Sequence, residues 1–280
     1  MSRGRVNYII GIFFGLLLLS WVFFILSFLR RARFFHPSGV VYSGRAVPAS
    51  GLESVAEAQV AALLSGATLV RFSGGLFKSK GKGARMDSLG LGLRFHCQPG
   101  PCSPESRGCQ DLFLVSFRSF GVMARDIKAS NPCDYLANTY WAITPYEVKG
   151  LGRVSLRITP FGAGGPAEAR DERLEDAVRE GVARLQLEMA PLGTDEYRPL
   201  AEIHIEERVE LEDALHLTPR ASGSGLRPVG FLQGLRVAPY AASHLARRLL
   251  KGPSGRGGNP EARPAVLDLG ASRRMEKEVG

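Results

Sequence analysis

The stretch "ATLVRFS", residues 67–73, gathers Thr68, Val70 and Phe72 into seven positions with partial apolar–polar alternation, and it reads as a β-strand. Five further runs carry the same signature: "GVVYSGRAV" (39–47), "LGLGLRF" (89–95), "DLFLVSF" (111–117), "RVSLRIT" (153–159) and "LAEIHIE" (200–206). Together they predict an antiparallel sheet or barrel. Two amphipathic helices are expected to cover it, one within 51–66 and one across 168–190. In the second, Leu174, Val178, Val182 and Leu185 recur on a three-to-four period. The fold class is therefore α+β, an antiparallel β-barrel with flanking helices.

The chain has 280 residues, 45% of them hydrophobic and 22% charged, which is enough for one sizeable core plus appendages. From Tyr8 to Leu29 it runs uncharged for 22 residues, long enough to cross a hydrocarbon layer of about 30 Å as a helix. "RRARFFH" follows instead of a small-residue cleavage site, so an uncleaved single-pass transmembrane helix is expected to precede the barrel. Arg3 and Arg5 on one side nearly balance Arg30, Arg31 and Arg33 on the other, which leaves the side of the membrane open. These arginines contribute to the net charge of +9, and no basic run interleaved with aromatics accompanies them, so nucleic acid is not an expected partner. The expected organisation is a tail and anchor over 1–32, a barrel domain over 33–250, and a Gly-, Pro- and charge-rich disordered tail over 251–280. Within the barrel domain, 227–250 is a further helical candidate, interrupted at Pro239. Cys97, Cys102, Cys109 and Cys133 lack a paired zinc spacing and are compatible with disulfides or with unrelated thiols.

Several chemistries lack their minimum parts: there is no G-x-S-x-G elbow, no G-x-x-x-x-G-K-[ST] loop and no H-E-x-x-H pair. "FGAGGPAEA" (161–169) has no dinucleotide-binding order and reads as a turn. What remains is His36 in "RFFHPSG", directly after the apolar run, together with Arg71 and Ser73. Near the C-terminal end Arg236, Tyr240 and Arg247 stand at intervals of four and seven on one helical face. Two cations flanking a phenol on that period suit a phenolate bound to a metal. Each residue alone has an ordinary structural reading; their order and spacing distinguish them.

In that order and spacing the chain resembles the haem catalases, and more closely their short catalase-like peroxidase relatives. Arg33-x-x-His36-x-x-Gly39 resembles the motif of the distal histidine, Arg71-Phe72-Ser73 the strand after it, and "DSLGLGLRF" the next strand through Asp87, Gly90 and Phe95, with Arg94 standing for a Lys. Arg236-x-x-x-Tyr240-x-x-Ser243-x-x-x-Arg247 keeps every spacing of the proximal motif. The resemblance implies a barrel of catalase type holding haem b. Tyr240 would be the proximal iron ligand, kept as phenolate by Arg236, and Arg33, Arg71 and Arg247 would bind the propionates. His36 would be the acid–base group, with Ser73 setting its tautomer. The chain departs from the pattern where the family has a distal Asn, since Val115 and Ser116 stand there, and where Ala242 replaces an Asp. Ser116 is a candidate substitute for the missing amide.

The implied activity is a membrane-anchored, haem-dependent peroxidase reducing hydrogen peroxide or organic hydroperoxides, including those of lipids, with a donor the sequence does not identify. The short path from Leu29 to Arg33 would keep the pocket near the bilayer. A homo-oligomer is a family-level expectation. The competing implication is a non-enzymatic relative that binds haem for sensing, or has lost haem and serves as a membrane-attached scaffold.

Overall fold

The computed structural model describes residues 39–75, 86–96, 108–161, 169–211, 215–218 and 222–235, with isolated positions 7, 9, 10 and 12 near the amino terminus. The strands are β1 (Gly39–Pro48), β2 (Gly66–Gly74), β3 (Leu89–Phe95), β4 (Gln110–Val115), β5 (Tyr140–Trp141), β6 (Tyr146–Val148), β7 (Gly152–Phe161), β8 (Arg184–Pro191), β9 (Arg198–Arg208) and β10 (Arg227–Pro228). All lie in one sheet, ordered β10-β6-β7-β5-β4-β3-β2-β1-β9-β8, and a further β7–β8 pairing closes the run from β7 round to β8 into an eight-stranded antiparallel barrel. Closure removes the unpaired edges that an open sheet would present.

Alternation explains why these segments form the wall. In β3, Leu89, Leu91, Leu93 and Phe95 point inward, whereas Gly90, Gly92 and Arg94 point outward. Val70 and Phe72 of β2 and Leu112 and Leu114 of β4 meet them in the same core, each side chain there contributing about 1.5–3 kcal/mol through burial. Phe72 packs on Tyr135 at 5.1 Å and on Tyr140 at 6.4 Å between ring centroids, so the interior is filled by aromatic rings. Every residue of β3 is buried although only one face looks inward, and the outer face of this part of the barrel is therefore covered as well.

The connections carry three α-helices among the described residues: α1 (Val55–Leu64), α2 (Met123–Ala129) and α3 (Arg170–Arg179). A capping box starts α1: the Ser54 hydroxyl accepts the Glu57 N–H at 3.1 Å, and the Glu57 carboxylate accepts the Ser54 N–H at 3.0 Å.

Two expectations need correction. The helix expected across 168–190 is α3 followed by β8: the chain leaves the helix at Gly181, φ +70°, a left-handed conformation that glycine adopts without steric cost. Leu174 lies on the helix, but Leu185 belongs to a strand in which Leu185, Leu187 and Met189 alternate inward. The helix expected from 227 begins instead as β10, whose Arg227 and Pro228 pair with Glu147 and Tyr146; a helical turn follows only at 231–235. Among the described residues no helix is long and apolar enough to cross a membrane, and the run 8–29 lies outside them except for Ile9, Ile10 and Ile12. The tail 251–280 also lies outside them.

Candidate functional site

The outer face of β1–β4 brings two of the expected site residues together. The register aligns Gly39, Ser73, Gly90 and Val115 in one row across the four strands. Val41, Arg71, Gly92 and Phe113 form the next, and Ser43, Leu69, Arg94 and Asp111 the third. Arg71 and Ser73, two residues apart on β2, share this face because side chains alternate along a strand, and both are buried. Ser73 donates its hydroxyl hydrogen to the Gly90 carbonyl at 3.2 Å, which leaves the oxygen's lone pairs to accept an N–H from a neighbour.

The third row holds a feature that sequence reading missed. Arg94 donates from Nε to Asp111 Oδ1 and from Nη2 to Asp111 Oδ2, both at 2.7 Å, with neither side chain exposed. A bidentate pair of this kind is short and directional. It also holds a crossing segment, since Arg94 Nη2 donates to the His216 carbonyl and the Thr218 N–H donates to Asp111 Oδ2, each at 2.7 Å. Leu215 is thereby packed on Val41 and Leu69. Leu217 lies directly over Gly92: a Cβ at position 92 would stand 2.3 Å from its Cδ1. A charged residue at an outward position of an otherwise apolar and glycine strand was the available signal, but its partner lies 17 residues away on the next strand.

Segment 215–218 thus covers the third row and reaches the second at Gly92, with Arg71 beside that boundary and Ser73 one row beyond it. Near the Ser73 end, Asp87 meets Arg170 of α3 at 3.3 Å, and the Arg170 guanidinium lies over the Tyr135 ring at 5.2 Å. Burial drives the Tyr135 hydroxyl pKa well above its ordinary value, so it stays neutral. Tyr42 is likewise raised to about 12, chiefly by burial and then by the Glu175 carboxylate.

Ser116 sits where β4 ends. Its hydroxyl accepts the Leu89 N–H at 3.0 Å while its own N–H donates to the Leu89 carbonyl at 2.9 Å, so the side chain completes the last rung of the ladder. Val115 aligns with Gly90 in the Ser73 row. Arg33, His36, Arg236, Tyr240 and Arg247 lie outside the described residues, and so do Cys97 and Cys102. Cys133 forms no disulfide, and burial raises the Cys109 thiol pKa. Among the described residues no cluster of His, Cys, Asp and Glu is arranged to hold a metal.

The chemistry of the described set fits a flat ligand with a carboxylate edge. Arg71 supplies a buried guanidinium, Ser73 an oriented hydroxyl, and Gly39 and Gly90 on either side of Ser73 carry no side chain. A haem has that shape and that edge.

No protein-family model matches the sequence, and no curated protein matches it. Solved structures do match the fold. One described as a bacterial catalase superimposes with a TM-score of 0.50 and 14% identity over 82% of this chain and 60% of its own. A fungal catalase does so with a TM-score of 0.51 and 12% identity over 85% of this chain and 64% of its own. The chain has a catalase-like β-barrel fold and spans less than two thirds of the length of either catalase.

Proposed function

We propose that the protein is a membrane-anchored, haem-dependent peroxidase of catalase-like build that reduces hydrogen peroxide or organic hydroperoxides with an external electron donor. The observation that carries this reading is the pairing of Arg71 and Ser73, buried on one outer face of a catalase-like barrel, in the rows that begin at Gly39 and Val41 just after His36. Haem b, held by Tyr240 with Arg33, Arg71, Arg236 and Arg247, would supply the redox chemistry of peroxide cleavage.

The remaining steps belong to the chain's own residues. The hydroxyl hydrogen of Ser73 is committed to the Gly90 carbonyl, so its oxygen serves as an acceptor. An imidazole N–H from His36 directed at that oxygen fixes the tautomer, leaving the other ring nitrogen unprotonated and able to take a proton from an incoming peroxide. His36 then returns the proton to the departing oxygen. Val115, in the row of Ser73, offers no hydrogen bond to orient a second peroxide, which favours peroxidase turnover over dismutation. The apolar run 8–29 would act as the anchor and bring lipid hydroperoxides within reach, on the membrane side that receives the barrel.

One observation favours a second reading, a haem-binding sensor or scaffold without turnover: Leu217 occupies the space over Gly92 beside Arg71 and narrows the face. The absorption spectrum decides. The proposal expects purified protein to carry a Soret band that shifts in Tyr240→Phe, with consumption of hydrogen peroxide or of a fatty-acid hydroperoxide in the presence of a reducing donor. Haem-free protein after expression with ample haem overturns it, and a Soret band without peroxide turnover favours the second reading.

A further inference from the structure

Strand direction sorts the connections of the barrel between two rims. β1 begins, β2 ends, β3 begins and β4 ends at the same rim, because Gly39 aligns with Ser73, Ser73 with Gly90 and Gly90 with Val115. The chain leaves β4 at this rim through a single 3-10 turn, Phe120–Val122, into α2. Phe120 is 53% exposed and Met123 37%, while Phe117 is buried and supports Phe120 at 5.8 Å between ring centroids. Met86, just before β3 at the same rim, is 62% exposed. Asp126 turns its carboxylate back to accept the Arg118 N–H at 2.9 Å, which bends the segment so that Phe120 and Met123 project outward.

Cations surround these apolar groups. Arg118, Arg125 and Lys128 are exposed around the ridge; Arg125 pairs at 3.1 Å with Asp126, the one acid between 117 and 129, and Arg118 lies over the Trp141 ring and meets Asp195 at 4.0 Å, which leaves the ridge with an excess of positive charge. α3 joins the end of β7 to the start of β8 at this same rim and carries Asp171, Glu172, Glu175 and Asp176, so the cations belong to the ridge after β4 and not to the rim as a whole.

The same rim is the one nearest the apolar run. Only residues 30–38 separate Leu29 from Gly39, a reach of at most about 32 Å when fully extended. The opposite rim lies farther by the whole of β1, about 33 Å more. An exposed aromatic and a methionine beside cations, with a second exposed methionine on the same rim, match the chemistry of an anionic bilayer surface, where apolar groups enter the headgroup boundary and basic groups meet lipid phosphates.

We infer that Phe120 and Met123, flanked by Arg118, Arg125 and Lys128, form a second membrane contact that docks this rim of the barrel on an anionic bilayer. The inference deepens the anchored reading above and rests on it for the identity of the partner. Docked in this way, the Gly39–Ser73–Gly90–Val115 row lies at the end of the barrel closest to lipid, so a hydroperoxide on an acyl chain has a short path to the candidate site. The contact also restrains rotation of the barrel about its tether, which a single helix cannot do.

Depth-dependent fluorescence quenching on the full chain tests this. The two native tryptophans, Trp21 and Trp141, are changed to Phe, and one new tryptophan is placed by Phe120→Trp, Met123→Trp or, at the opposite rim, Val55→Trp. Each protein is reconstituted into phosphatidylcholine–phosphatidylglycerol vesicles with or without bromines on the acyl chains, and far-UV circular dichroism checks that it folds. The expected result is blue-shifted, bromine-quenched emission at positions 120 and 123, none at 55, and loss of that quenching in Arg125→Glu/Lys128→Glu. Protein that resists alkaline extraction but is quenched no more at 120 and 123 than at 55 overturns the docking and leaves the anchor standing. Vesicle binding that alkali strips, with position 120 still quenched at low salt, sustains the docking and removes the anchor. Failure to float with vesicles at all overturns both. Blue-shifted but unquenched emission at 120 means that protein covers the ridge, a second copy or another part of the chain, and also overturns the docking.

Discussion

Replacing Asp111 with Asn keeps the shape of the buried pair and removes its charge. Arg94 is fully buried and donates two of its short hydrogen bonds to that carboxylate, so the variant leaves a guanidinium in a dry setting without its counter-charge. Breaking a buried pair from one side costs about 3–5 kcal/mol, against about 0–1 kcal/mol for an exposed pair. For a domain of this size each kcal/mol moves the thermal midpoint by about 2–4 °C, so Asp111→Asn should lower it by roughly 6–20 °C. The double variant Arg94→Leu/Asp111→Leu removes both charges, but it strips partners from the Thr218 N–H and the His216 carbonyl, at about 1–3 kcal/mol each, and should recover only part of the loss. Urea unfolding measures the three stabilities, and hydrogen exchange at 215–218 reports whether the crossing segment has come loose. An Asp111→Asn cost below about 1 kcal/mol, or a double variant as stable as the parent with unchanged exchange, would refute the role given to this pair.

Other outcomes follow from single contacts. Tyr42 is 1% exposed, and its hydroxyl has no hydrogen-bond partner among the described residues, so Tyr42→Phe should be neutral or stabilising by about 1 kcal/mol in denaturant titrations. Because folding raises its pKa from 10.0 to about 12, the folded state holds this proton longer than the unfolded chain. Stability is therefore intact below pH 10 and falls as pH rises toward 12, by an amount on the order of 3 kcal/mol, and Tyr42→Phe should flatten that alkaline loss. Gly92→Ala drives a methyl group against Leu217 and should cost about 1–3 kcal/mol, with Leu217→Ala in the same chain relieving part of it in a double-mutant cycle. Gly181→Ala, at φ +70°, should cost about 1 kcal/mol by the same measurement, since Ala does not relax into that conformation.

Much of the wall was legible because each of its long strands alternates: "LGLGLRF" spans the same residues as β3, and "ATLVRFS" lies within β2. β8 was not, because the spacing from Leu174 through Leu185 continues a helical period across Gly181, and only the full run Leu185, Leu187, Met189 shows the change to a period of two. β5, β6 and β10 have two or three residues each, too few for any period, and exist because neighbouring strands pair with them. Within the candidate site, Arg71 and Ser73 were readable from a local motif. The Arg94–Asp111 clamp and its hold on 215–218 depend on strand register and on a contact more than a hundred residues along the chain, neither of which a local pattern encodes.

The rings of Phe72, Tyr135 and Tyr140 make the barrel a solid pedestal rather than a conduit. In the proposed reading the ligand arrives from outside the wall, where Arg71 and Ser73 lie buried on the reverse side of the strand whose Phe72 fills the middle. Core and proposed site would thus share the two faces of β2. A lesion in the aromatic plug, like one in the outward Arg94–Asp111 pair, should be felt first as loss of the whole molecule, whereas Arg71 and Ser73 are where a change would reach the proposed site.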